Sequence, residues 1–276
     1  MEQVLKTMLE NVRAKTPLVH NITNYVTVND VANVLLAAGG SPIMSDDADD
    51  VEDITSICGG LNINIGTLNK NTIPSMFLAG KKANALGHIV LLDPVGAGAS
   101  RLRTDTANRL MQEVRFDAVR GNISEIKTLC TGSGTTKGVD ADAVDAVTEA
   151  NLDDGVQLVK AFAKQTGCIV AVTGAIDLVS DGERCWCIRN GRAEMSRITG
   201  TGCQLSALMT AFLVANPDRK LDAAAAAVCM MGLAGEIGWA NMQPGDGNST
   251  YRNRIIDAIF NMTGDALEEG AKYELR

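Results

Sequence analysis

The turn Thr199-Gly200-Thr201-Gly202-Cys203 runs directly into the apolar stretch Leu205 to Ala215. Two glycines separated by one residue let successive backbone N–H groups turn inward, and the positive end of the following helix adds to their field. Gly200, Thr201 and Gly202 would thus line an anion hole, suited to the charge on a phosphoryl group in transit. A plain glycine-rich helix entry, capped by Thr199 or Thr201, explains the same spacing. The sequence has no GxxxxGK[ST], so it is not a P-loop, and no GxGxxG follows its first strand.

Cys203 admits three readings. It can be a buried structural thiol, a base that takes the proton of an attacking alcohol, or a nucleophile activated by the helix end. The nucleophile needs an imidazole partner, and the chain has two histidines. His88 opens a strand at the far edge, which leaves His20 to support acyl or thiol chemistry.

Asn122-Ile-Ser-Glu125 sets two oxygen-bearing side chains three residues apart on one helical face. With Asp93 they offer hard oxygen donors of the kind Mg²⁺ takes when water and substrate phosphates complete its shell. A capping box uses the same spacing, and the two readings are compatible. The acidic run Asp46, Asp47, Asp49, Asp50, Glu52 and Asp53 reads as a solvated helix start rather than a cation site.

These residues need a scaffold. Apolar spacing predicts helices over 29–38, 70–85, 153–164, 203–215, 221–239 and 253–264, with another from Ser124 and a helical pattern within the first 15 residues. Gly39-Gly40 stops the first of these. Short apolar runs predict strands at 18–20, 41–44, 61–65, 88–92, 117–119 and 168–172. Alternation of this kind argues for a mostly parallel sheet with helices on both faces. Leu178 to Ser180 and Arg184 to Ile188 form a hairpin around Asp181-Gly182, giving a small antiparallel edge. Ligands bind at the carboxyl ends of parallel strands. Asn21, Asn24, Thr27, Met44, Gly66, Asp93, Arg120, Gly121, Asn122, Thr173 and Gly174 all fall there.

No repeat, low-complexity tract or linker interrupts the 276 residues, so a single domain over 1–276 is expected. Hydrophobic residues make up 46% and charged residues 21%, which excludes disorder. The formal net charge of −8 disfavours nucleic acid and anionic membrane surfaces as partners. No apolar run is expected to reach the roughly 18 residues of a spanning helix. Seven scattered cysteines without a CxxC pair point to free thiols in a reducing cytoplasm.

Pro17-Leu-Val-His-Asn-Ile-Thr-Asn-Tyr-Val-Thr27, Ser41-Pro-Ile-Met44, Leu92-Asp-Pro-Val-Gly-Ala-Gly98, Arg120-Gly-Asn-Ile-Ser-Glu125 and Thr199-Gly-Thr-Gly-Cys203 resemble the hydroxyethylthiazole kinase family, in order from about residue 15 to 250. The resemblance implies a ribokinase-like α/β fold: a three-layer sandwich around the mostly parallel sheet. It implies ATP-dependent phosphorylation of the hydroxyl of 4-methyl-5-(2-hydroxyethyl)thiazole, in thiamine salvage. By the same resemblance Met44, Gly200 and Asn24 meet the thiazole alcohol. Arg120 and Thr173 contact ATP with Asn122 beside them, and Asp93 and Glu125 serve Mg²⁺. A homotrimer with active sites between subunits is also implied. Most ribokinase-like enzymes carry Asp as the base where Cys203 stands, and Ala175 departs from an expected Glu. Another small-alcohol kinase of this fold, such as a pyridoxal or pyrimidine-alcohol kinase, an ATP-dependent dehydratase and a non-catalytic binding protein are the competing readings.

Overall fold

In a computed structural model that describes residues 3–132 and 146–276, the strands form one nine-stranded sheet. They are β1 (Leu18–Ile22), β2 (Ser41–Met44), β3 (Gly60–Asn64), β4 (Ile89–Asp93), β5 (Ala118–Asn122), β6 (Ile169–Thr173), β7 (Asp177–Ser180), β8 (Cys185–Ile188) and β9 (Tyr273–Leu275). Their order is β2-β1-β3-β4-β5-β6-β7-β8-β9. The first six run parallel, and β7, β8 and β9 pair antiparallel. The expected hairpin is β7–β8. The C-terminal strand β9, which widens the antiparallel edge, went unforeseen because three residues carry too little periodicity to read.

The helices among the described residues are α1 (Val4–Lys15), α2 (Val28–Ala38), α3 (Val51–Ile57), α4 (Thr72–Leu86), α5 (Arg101–Glu113), α6 (Ile123–Thr131), α7 (Leu152–Thr166), α8 (Thr201–Ala215), α9 (Lys220–Ala240), α10 (Asn248–Asn261) and α11 (Gly264–Gly270). Both faces of the sheet are covered. Ile89 and Leu91 of β4 join one core with α1, α2 and α8 to α11, while Val90 and Leu92 join another with α3 to α7. That two-sided burial is why the central strands read as unbroken apolar runs.

α2 buries Val31, Val34, Leu35 and Ala38 as expected and ends at Gly39, whose φ of 98° completes the left-handed cap. α5 was not anticipated. It is polar around most of its circumference and buries only Thr106, Ala107 and Leu110, a stripe too narrow to stand out. α10 begins five residues earlier than expected, at Asn248.

α9 corrects the expectation that no run reaches spanning length. Within Pro217–Ala240 the chain is long and apolar enough to cross a membrane by length and composition, yet 78% of that window is buried inside the fold. A helix apolar on all sides is what the centre of a helical layer requires.

The parallel register sets the site. Asn64 pairs with Asp93, Asn122 with Thr173, and Asn21 with Met44. The β4–β5 register ends at Leu92 and Val119, which brings Arg120 alongside Asp93. Side chains scattered over more than 100 residues therefore meet at one edge.

Candidate active site

α8 starts at that edge. Its N-cap is Gly200, with φ 83°, and no side chain caps the helix. Neither Thr199 nor Thr201 takes the capping role, so the bland reading of this turn loses its main support. Gln204 N–H makes the first helical bond, to Gly200 O at 2.9 Å, which leaves the amides of Thr201, Gly202 and Cys203 ahead of the ladder. The turn is sterically closed to side chains. A Cβ at Gly200 would lie 2.9 Å from Thr27 Cβ, on a backbone that also favours glycine. A Cβ at Gly202 would lie 2.8 Å from Arg120 Cζ and 2.7 Å from Nη1.

Arg120 is thus pressed beneath the turn. It is 8% exposed and forms an ion pair with Asp93, Nη1 lying 3.3 and 3.2 Å from the two carboxylate oxygens. Its Nη2 donates to Thr173 Oγ1 at 2.8 Å. Nε, also buried, has no acceptor among the described residues. Burial works against the guanidinium charge, but Asp93 and Glu125 outweigh it and hold Arg120 above its ordinary range.

Asp93 is fully buried at the end of β4. Its Oδ2 accepts from Asn64 Nδ2 at 2.8 Å and from Ser206 Oγ at 2.8 Å, besides Arg120. Burial pushes this carboxyl up, with Arg120, Ser206 and Asn64 acting in the opposite sense. Glu125 is 3% exposed. Its Oε2 accepts from Asn122 N and its Oε1 from Gly96 N, each at 2.8 Å, while Asn122 Oδ1 accepts from Glu125 N at 2.9 Å. The capping box is therefore real and fixes Oε2 of Glu125 in the site, while Gly96 N fixes Oε1. Burial and the neighbouring Asp93 push Glu125 up to about 7.

Cys203 is 9% exposed, and Asn24 Nδ2 donates to its Sγ at 3.2 Å. The helix end was expected to lower this thiol. Instead burial and Asp93 push it up, against Arg120 and the amides of Asn24 and Asn64. In a dry site desolvation of the thiolate exceeds the pull of one helix terminus. Met44 and Val95 pack against the apolar patch that holds Cys203, so the SPIM strand and the glycine turn share one wall.

His20 does not reach this centre. Its Nδ1 lies 2.9 Å from Thr55 Oγ1 and its Nε2 2.9 Å from Ser45 O. A carbonyl can only accept, so Nε2 carries the proton and Nδ1 accepts from Thr55. Burial lowers the ring's affinity for a second proton. With both nitrogens committed, the thiol–imidazole reading is set aside. The acidic run behaves as expected: Asp50 precedes α3, whose first turn holds Glu52 and Asp53.

Several site groups escaped the sequence reading. Asn64, Ser206, Arg103 and Asp177 all converge here. Arg103 Nη2 donates to Gly66 O at 2.6 Å. Asp177 accepts from Gly174 N at 2.8 Å, and burial lifts it to about 7. The spacing of Asn62 and Asn64 within an apolar strand was a signal for Asn64 alone.

A cavity of about 130 Å³ opens beside this centre, lined among others by Thr23, Tyr25, Asp46, Asn64, Thr67 and Met76. A wider cleft of about 790 Å³ lies at the opposite ends of β5 and β6, lined by Arg115, Phe116, Thr166 and Cys168 among others. None of the convergent polar groups faces it, so size alone does not mark the site here.

A buried carboxylate whose proton affinity is raised by a second one suits a small hard cation, which would relieve the repulsion. Among the described residues no cluster of three or more His, Cys, Asp or Glu side chains could hold a metal by itself. A cation here would depend on phosphate and water for the rest of its shell.

Comparison with known proteins gives a consistent result. The sequence pattern of the Hydroxyethylthiazole kinase family matches residues 9–265. The Clostridium acetobutylicum hydroxyethylthiazole kinase is 58% identical over 271 residues, covering 98% of this chain and 99% of that one. The Clostridium beijerinckii hydroxyethylthiazole kinase is 50% identical, over 97% of this chain and 95% of that one. The solved structure of hydroxyethylthiazole kinase from Pyrococcus horikoshii OT3 superposes with a TM-score of 0.88 at 32% identity, covering both chains in full. Pyridoxal kinase from Staphylococcus aureus, in complex with AMP-PCP and pyridoxal, shares only the fold. It has a TM-score of 0.61 at 14% identity, over 94% of this chain and 98% of that one.

Proposed function

We propose that this chain, which belongs to the hydroxyethylthiazole kinase family, phosphorylates the hydroxyl of 4-methyl-5-(2-hydroxyethyl)thiazole in thiamine salvage, with ATP as the phosphoryl donor. The single observation that carries the reading is the packing of Gly202 on the Arg120 guanidinium. It presses the uncapped N-terminus of α8 against a buried cation.

In this account the amides of Thr201, Gly202 and Cys203 stabilise charge on the phosphoryl group in flight. Arg120, held by Asp93 and Thr173, meets the nucleotide phosphates, with Asn122 beside it. The partnerless Nε is a donor still seeking an acceptor, which supports an anion at this position. Met44, Asn24 and Gly200 orient the alcohol toward the turn. Cys203 Sγ is placed to receive the hydroxyl proton. Its raised affinity for its own proton keeps it a thiol and leaves little thiolate available as base, so positioning and phosphate stabilisation supply most of the rate. Asp93 and Glu125 would hold Mg²⁺. When bound, the ion neutralises phosphate charge.

The chain works as a single catalytic domain over 1–276 in the cytoplasm. A homotrimer with sites between subunits is supported by apolar surface beside the small cavity. Tyr25 is 79% exposed and Val26 54%, an unusual state for an aromatic at a site wall unless another subunit covers it.

Incubation with Mg-ATP and the thiazole alcohol, followed by mass spectrometry, tests the function. The phosphate ester is expected. ADP without the ester would point to a dehydratase or hydrolase of this fold, and an ester on pyridoxal alone would point to a different alcohol kinase.

A further inference from the structure

Asn64 sits at the end of β3, 1% exposed, between the carboxylate that pairs with Arg120 and the amide that touches the thiol. Its Nδ2 donates to Asp93 Oδ2 at 2.8 Å, and its Oδ1 accepts from Gly66 N at 2.9 Å and from Asn24 Nδ2 at 3.0 Å. Neither end can be exchanged. A flipped amide would face Asp93 with an oxygen and the Gly66 N–H with a second donor, leaving two buried clashes of like polarity.

That orientation propagates. Because Asn64 offers an oxygen, Asn24 must present its NH₂, and Thr27 Oγ1 holds the other end by donating to Asn24 Oδ1 at 3.1 Å. The second hydrogen of the same NH₂ then lies on Cys203 Sγ. Two acceptors share one NH₂ group, and the thiol receives a donor whose direction Asn64 sets, besides the direct pull of the Asn64 amide toward ionisation.

We propose that Asn64 is a positioning residue of the transfer site: by bridging Asp93 and Asn24 it fixes the Asn24 amide with its N–H on Cys203 Sγ. Asn64 touches neither the reacting phosphoryl group nor the alcohol. Its part is to keep a hydrogen-bond donor on the sulfur, which favours the sulfur when it has given up its proton. The charged groups around that sulfur are Asp93, which opposes its ionisation, and Arg120, which favours it. The inference rests on Cys203 being the transfer site, but its test needs no substrate.

The rate of iodoacetamide alkylation at Cys203 can be followed against pH, with the modified peptide separated by mass from the six other cysteines. In Asn64→Leu, with the same branching but without hydrogen-bonding ends, the alkylation midpoint should rise by about one pH unit. In Ser206→Ala, which loses a donor to the same Asp93 oxygen without touching Asn24, the midpoint should stay near that of the unaltered protein. An unchanged midpoint in Asn64→Leu overturns the proposal. Equal shifts in both variants overturn it too, because Asn64 would then act only by supporting Asp93. If melting shows that Asn64→Leu does not fold, Asn64→Ala takes its place, with the same two outcomes deciding.

Discussion

Gly202→Ala sets two physical effects against each other within one methyl group. Gly202 lies in the first turn of α8 with no left-handed φ to protect, so alanine should favour the helix by up to about 1 kcal/mol. The new Cβ would lie 2.8 Å from Arg120 Cζ, whereas comfortable carbon contact begins at about 3.5 Å. The guanidinium, or the turn, must therefore move by about 0.7 Å. Arg120 cannot yield freely, because Asp93 and Thr173 both hold it. A displacement of that order in a phosphate-positioning group costs about 100-fold in kcat/KM, or about 2.7 kcal/mol of transition-state stabilisation. The melting temperature should change little, since helix preference and strain oppose one another. Steady-state kinetics beside a thermal melt separate the two. A variant with normal kcat/KM would refute the idea that the turn closes directly on Arg120.

Cys203→Asp should keep or improve turnover, since it puts a group that ionises far more readily than a thiol at the position Asn24 already contacts; a folded variant that binds both substrates and transfers no phosphate would contradict this. Asp93→Ala leaves Arg120 buried without its counter-ion and should cost about 3–5 kcal/mol in denaturant unfolding; a loss below 1 kcal/mol would show that the pair matters little. Without nucleotide or metal, stability should fall as pH rises from about 4.5 to about 7. Glu125 rises from an ordinary 4.5 to about 7 on folding, so across that window the native state binds the proton that the unfolded chain has released. The loss is of the order of 3 kcal/mol, and a melting temperature that climbs over this interval would reverse the assignment.

The chemistry of single segments was legible, while the pairing of segments was not. Thr199 to Cys203 stands out because two glycines lead straight into an apolar helix, a spacing that a plain helix entry shares, and Asn122 with Glu125 because capping follows a fixed spacing. The strands β4 and β6 stood out since burial on both faces makes them continuous apolar runs. Asn64 and Ser206 did not stand out. Each is a polar residue among apolar neighbours, and only the β3–β4 register and the docking of α8 turn them toward Asp93. His20 illustrates the opposite error. Its place at the end of β1 was evident, but its partners Thr55 and Ser45 come from α3 and from the loop after β2, which no local pattern predicts. α5 was missed because its polar surface leaves almost no periodic stripe.

Phosphorus NMR of the protein with Mg-ATP and 4-methyl-5-(2-hydroxyethyl)thiazole reads the phosphoryl transfer itself. A new phosphomonoester resonance should grow in step with ADP and be absent when Arg120 is replaced by Met. ADP and inorganic phosphate without the ester, or an undiminished ester from Arg120→Met, would contradict it.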